Sequence, residues 1–154
     1  MPISTTMRCA RVEYQLDLRA PERPLPLGVL VMTDGAERVQ SVLAGRAPRA
    51  GFTPDELKTV GPLGRSQLEG WVATMAKDLL GAIEKREDPL ETLVSIWCWN
   101  LHVVVEADAE VRPGLTVRDV AAGLYARHLG VPLPNGPAET NGDWCVTEVA
   151  YRTT

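Results

Sequence analysis

Hydrophobic and polar positions alternate most regularly between residues 101 and 111, where Leu101, Val103, Val105, Ala107, Ala109 and Val111 interleave with His102, Val104, Glu106, Asp108 and Glu110. A period of two belongs to an extended strand, and here it sets an apolar face against a core and an anionic face toward water. Half-solvated strands are at home in antiparallel sheets, because all-parallel sheets are covered on both sides. The same alternation runs through Arg8 to Arg19, where Val12, Tyr14, Leu16 and Leu18 are separated by Glu13, Gln15, Asp17 and Arg19. Residues 27 to 32 (Leu-Gly-Val-Leu-Val-Met) are apolar at nearly every position, as a more central strand would be. Pro21, Pro24 and Pro26 stiffen the loop between these two runs, so they are expected to pair as a hairpin. A last strand is expected from Trp144 to Arg152.

Helix starts are marked by an N-cap residue with an acid three positions later. The cap side chain accepts from an orphaned amide of the first turn, and the acid reaches back to the cap's own amide. Four segments fit: Asp34-Gly-Ala-Glu37, Thr53-Pro-Asp-Glu56, Ser66-Gln-Leu-Glu69 and Asp88-Pro-Leu-Glu91, with Thr116-Val-Arg-Asp119 a shorter-armed version. Pro54 and Pro89 fall at the first helical position, where a missing amide hydrogen costs nothing. About five helical segments are therefore expected. The longest should span about Gln67 to Arg86, since Leu68, Trp71, Val72, Met75, Leu79 and Ile83 form one apolar stripe. Residues 117 to 129 predict a shorter helix with Val117, Val120, Ala121 and Leu124 inward, stopped by Gly130. Between Leu90 and Asn100 the cap favours helix while Val94, Ile96, Trp97 and Trp99 favour strand. A helix to about Trp97 followed by a strand from about Trp99 reconciles the two.

Together these elements predict a single α+β domain over residues 1–154: a mostly antiparallel sheet of about four strands with helices packed on one face, in two layers. A chain of 154 residues can bury a core without disulfide or metal staples. Cys9, Cys98 and Cys145 are odd in number and widely spaced, without CxxC, so neither a disulfide framework nor a metal site is expected, and a reducing cytoplasm suits them. No apolar run approaches the roughly 18 residues of a membrane span.

Acids outnumber bases by 20 to 16, a balance that opposes phosphate backbones unless a local basic patch overcomes it. Arg38, Arg46 and Arg49 are the candidate patch for nucleic acid; the plainer reading is cations decorating the end of a helix begun at Asp34. No catalytic or cofactor signature stands out. Cys98 and His102 are four apart, which on a helix would join a thiol to a base, but in a strand separates them by roughly 13 Å. Cys98 is then a small buried hydrophobe. Glu106, Asp108 and Glu110, even with Asp143 or Glu148 beside them, step by roughly 6.6 Å along a strand, too far apart to chelate one ion tightly. They suit an edge-protecting acidic face better. His128 fits a cation at a helix C-terminus. Gly61-Pro-Leu-Gly64 lacks the Gly-Lys-Ser/Thr ending of a phosphate loop and reads as a turn.

Four tryptophans (Trp71, Trp97, Trp99 and Trp144) against one phenylalanine is an unusual allotment for a core, and tryptophan is enriched at interface hot spots. The sequence thus points first to a non-enzymatic cytoplasmic interaction module, an accessory, adaptor or inhibitory subunit with a protein partner and no cofactor. Trp97, Trp99, Trp144, Glu106, Asp108 and Glu110 would form its partner-binding surface. A small enzyme or ligand receptor using His102, Glu106 and Asp108 is the alternative, and nucleic-acid binding through the three arginines a further one.

Overall fold

The structure, a computed structural model, describes residues 5–15, 24–33, 38–46, 52–133 and 144–152; of these, the side chains of Thr5, Arg38 and 144–152 lie outside the description. In chain order the elements are β1 (Thr5–Tyr14), β2 (Leu25–Thr33), β3 (Arg38–Arg46), α1 (Pro54–Leu68), α2 (Trp71–Glu84), α3 (Pro89–Ile96), β4 (Leu101–Val105), β5 (Ala109–Val111), α4 (Val117–Leu129) and β6 (Trp144–Arg152). The strands form an antiparallel sheet in the order β4-β1-β2-β3-β6, with β5 paired to the start of β1. The α+β class and the β1–β2 hairpin are as the alternation implies, although the sheet has six strands among the described residues, where about four were expected.

Both faces of the sheet are covered. Ala10, Val12, Leu30 and Leu43 pack under α1, α2 and α3, where Trp71, Met75, Leu79, Leu90 and Leu93 close the core. Met7, Cys9, Val29, Val31, Val42 and Ala44 point the other way, against Ala121, Leu124 and Tyr125 of α4. The face expected to stay bare therefore carries a helix. β3 shows why the cap-like Asp34-Gly-Ala-Glu37, itself outside the described residues, misleads: residues 38–46 are a strand, not a helix. Val39 and Leu43 join the core under α1–α3 and Val42 and Ala44 the one under α4, and pairing along its length with β2 and β6 satisfies its backbone, which outweighs a local cap signal. Gly45 on this strand admits Trp71 against its backbone; a Cβ there would collide with the Trp71 ring.

The uninterrupted strand read over 101–111 is broken. Ala10 pairs with Val105 and Met7 with Ala109, so two residues of β1 oppose three, 106 to 108. One extra residue flips every later side chain to the other face. Val103 consequently joins the core beneath α1–α3, whereas Ala109 and Val111 join the one beneath α4.

Thr53 and Glu56 form the expected capping box at α1, with Pro54 leading the helix. α1 then runs through Ser66, which caps nothing, and is kinked at Gly61 (φ 74°) before Pro62. The expected helix over 67–86 is therefore two elements, divided where Gly70 takes φ 67°. Its stripe survives in α2, where Trp71, Val72, Met75, Leu79 and Ile83 are buried. Asp88 caps α3 by accepting from the amides of Leu90 and Glu91, Thr116 and Asp119 box α4, and Gly130 ends it in the left-handed region. Among the described residues no helix is long and apolar enough to cross a membrane.

Candidate functional site

Three elements converge on Glu13. On β1 it shares the α4 face with Arg11, across from His102 of β4, its direct register partner. The last turn of α4 lays His128 over the same carboxylate. Glu13 is 7% exposed. Its carboxylate lies 3.6 Å from His102 Nε2, 3.9 Å from His128 Nε2 and 3.2 Å from Arg11 Nε, and Arg11 Nη1 donates to Glu106 Oε1 at 2.8 Å. The chain has only two histidines, and folding brings both to one buried acid. A carboxylate is kept out of water only where opposite charge or donors surround it, which this arrangement supplies.

The two imidazoles differ. His102 turns Nδ1 to the carbonyls of Trp99 and Asn100, at 3.2 and 3.3 Å, and Nε2 to Glu13. His128 Nε2 is buried with no hydrogen-bond partner among the described residues. Burial holds the His128 imidazole below its ordinary pKa, an effect that the nearby Glu13 only partly offsets. Such a ring stays neutral at pH 7 and keeps a lone pair free to accept a proton. The expectation of a cation capping the helix at this position is corrected: the ring packs on β1.

His128, Arg11 and Glu13 form one side of a cleft of about 700 Å³ at the end of the sheet. Leu25, Tyr14 and Val60 give it apolar wall, and the first turn of α1 faces it with Asp55 and Glu56. Glu56 is committed elsewhere. Burial pushes its carboxyl pKa up, but the Arg46 fork, at 2.6 Å, and the Thr53 cap prevail and hold it below the ordinary range. Arg46 also donates Nε and Nη2 to the Pro26 carbonyl and stacks on Phe52.

The sequence-derived candidates scatter. Trp99 is 71% exposed at the turn between α3 and β4. Trp97 instead packs partly on the core and donates Nε1 to Asp78 at 3.0 Å, and the Trp144 side chain lies outside the description. Glu106 is half-buried in its pair with Arg11, while Asp108 and Glu110 are exposed; the bulge prevents the three from sharing a face. Cys98 is exposed rather than buried. The separation expected between Cys98 and His102 also fails, since the chain turns back and makes them bridge partners. With both ring nitrogens aimed at Glu13 and backbone carbonyls, however, His102 has none turned to the thiol. Arg38 and Arg46 stand at opposite ends of β3, roughly 26 Å apart at strand rise, and Arg46 is consumed internally; Arg49 lies outside the described residues.

Glu13 and Arg11 were not candidates in the sequence, where Glu13 reads as one polar residue on a wet strand face. The only pointer was the scarcity of histidine. Among the described residues no group of three or more metal-ligating side chains is placed to hold an ion. Compared with protein-family models, curated proteins and solved structures, the chain matches none of them.

Proposed function

We propose that the protein binds a small organic ligand in the cleft between the end of β1 and the start of α1, with His128 as the proton acceptor and Glu13 as the charge behind it. The observation that carries this reading is the convergence of both histidines on a carboxylate whose side chain is 9% exposed, at the wall of a cleft of about 700 Å³. Convergent polar groups in an otherwise apolar concavity are the usual makings of a ligand site. The acid–base pair sits on β1 and α4 instead of the acidic strand face. A cytoplasmic location fits the free thiols of Cys9 and Cys98. A fragment screen by protein-observed NMR tests the proposal. Hits should shift Tyr14, Thr59 and the His128 ring together, and hits distributed without regard to these residues would refute it.

A second reading, a protein-interaction module, is favoured by Trp99. A tryptophan 71% exposed at a turn tip, with Ile96 52% exposed nearby in the chain, is an apolar anchor without a socket among the described residues. Cross-linking in cells with wild type and Trp99→Ala would test it, the expected result being a partner captured only by wild type.

A further inference from the structure

We infer that the outward face of α4 docks on the same face of a second copy of this chain, the two helices running antiparallel about a two-fold axis at Gly123. Neither the cleft nor Trp99 enters the inference. α4 covers the sheet with Ala121, Leu124 and Tyr125 and leaves Asp119, Gly123, Ala126 and Arg127 exposed on its other side. In a two-fold interface residue i meets residue j and j meets i, so a face fits its own copy when its two halves are complementary about one centre. This face has that symmetry. Asp119 and Arg127 stand four residues to either side of Gly123, about 6 Å along the axis, so antiparallel packing sets each acid against the other copy's base. Leu115 and Val131, both exposed, flank the helix eight residues out on each side and would meet in the same way.

The helix dipole accounts for an acid near the start of α4 and a base near its end. It does not account for Gly123. Glycine is among the poorest helix formers, this one has no positive φ, and a Cβ there would touch nothing among the described residues, so no contact within them asks for it. Facing its own copy, it lets two helix backbones approach closely. Gly81 of α2 has equally open surroundings, but no exposed large apolar side chain stands on α2. Both charges are available. Arg127 makes no hydrogen bond or ion pair among the described residues, and the exposed Asp119 accepts from the Thr116 amide through Oδ2 at 2.8 Å, which holds the carboxylate in place.

Sedimentation equilibrium of the full chain, from micromolar to near-millimolar concentration, reads the association directly. Wild type should pass from one chain to two, and more readily in low salt. Arg127→Glu sets like charges together twice, and Gly123→Gln puts a side chain where the backbones meet; each should weaken the dimer by about tenfold or more. Gln is a better helix former than Gly, so that variant should stay folded. A zero-length carbodiimide cross-link checks the register. In Arg127→Lys it should join Asp119 of an isotopically light chain to position 127 of a heavy one, since within one chain the two positions lie about 12 Å apart along the helix. A chain that stays single at every concentration, a dimer that either Gly123→Gln or Arg127→Glu leaves intact, or inter-chain cross-links confined to other residues would overturn the inference.

Discussion

Glu13→Gln keeps the shape of the side chain at the centre of the cluster and removes its charge. Three groups able to carry positive charge then lose their counter-charge: Arg11 at 3.2 Å, His102 at 3.6 Å and His128 at 3.9 Å. Removing one partner of a fully buried ion pair costs about 3–5 kcal/mol. Here the Arg11 side chain is 34% exposed and keeps Glu106, so water and the second acid recover part of the loss. A destabilisation of about 1–2 kcal/mol is expected, equivalent to a fall in Tm of roughly 3–6 °C for a chain of this size. Urea unfolding followed by tryptophan fluorescence measures it. The gap between wild type and variant should widen as pH falls below 6.5, where His128 takes up its proton beside a carboxylate that only wild type possesses. By NMR the His128 titration midpoint should fall in the variant, since Glu13 acts to raise it. Unchanged stability together with an unmoved His128 midpoint would refute the account, because it would mean that the carboxylate does not act on these groups.

Further outcomes follow from other parts of the structure. Burial lowers the folded pKa of His128 below its ordinary 6.5, so its contribution to stability should be complete above that value and be lost as pH falls through the lower folded one. A denaturation series from pH 8 to pH 5 with wild type and His128→Asn checks this, and a native midpoint above 6.5 would contradict it. Gly45→Ala drives a methyl group into the Trp71 ring and should cost about 1–3 kcal/mol by overpacking, seen as a lowered Tm with the secondary structure retained. Trp99→Ala should change stability by less than about 0.5 kcal/mol in a chemical melt, as expected of an exposed side chain; a large loss would place the ring in the core.

What can be read from the chain alone is what neighbours in sequence decide. Thr53, Asp88 and Thr116 cap their helices because a cap side chain bonds to amides within its own first turn, and Gly130 ends α4 because the left-handed conformation is cheap for glycine. The strand alternation likewise discloses an antiparallel α+β fold. Everything that depends on a distant partner was decided in three dimensions. The cap-like start at Asp34 precedes a strand because β2 and β6 flank residues 38–46, and one unpaired residue after Val105 splits an even apolar stripe between two cores. The same holds for the candidate site. Glu13, His102 and His128 are far apart in the chain, and no local pattern shows that strand register and the packing of α4 will set two imidazoles against one buried carboxylate, because burial and electrostatic pairing are properties of the assembled surfaces.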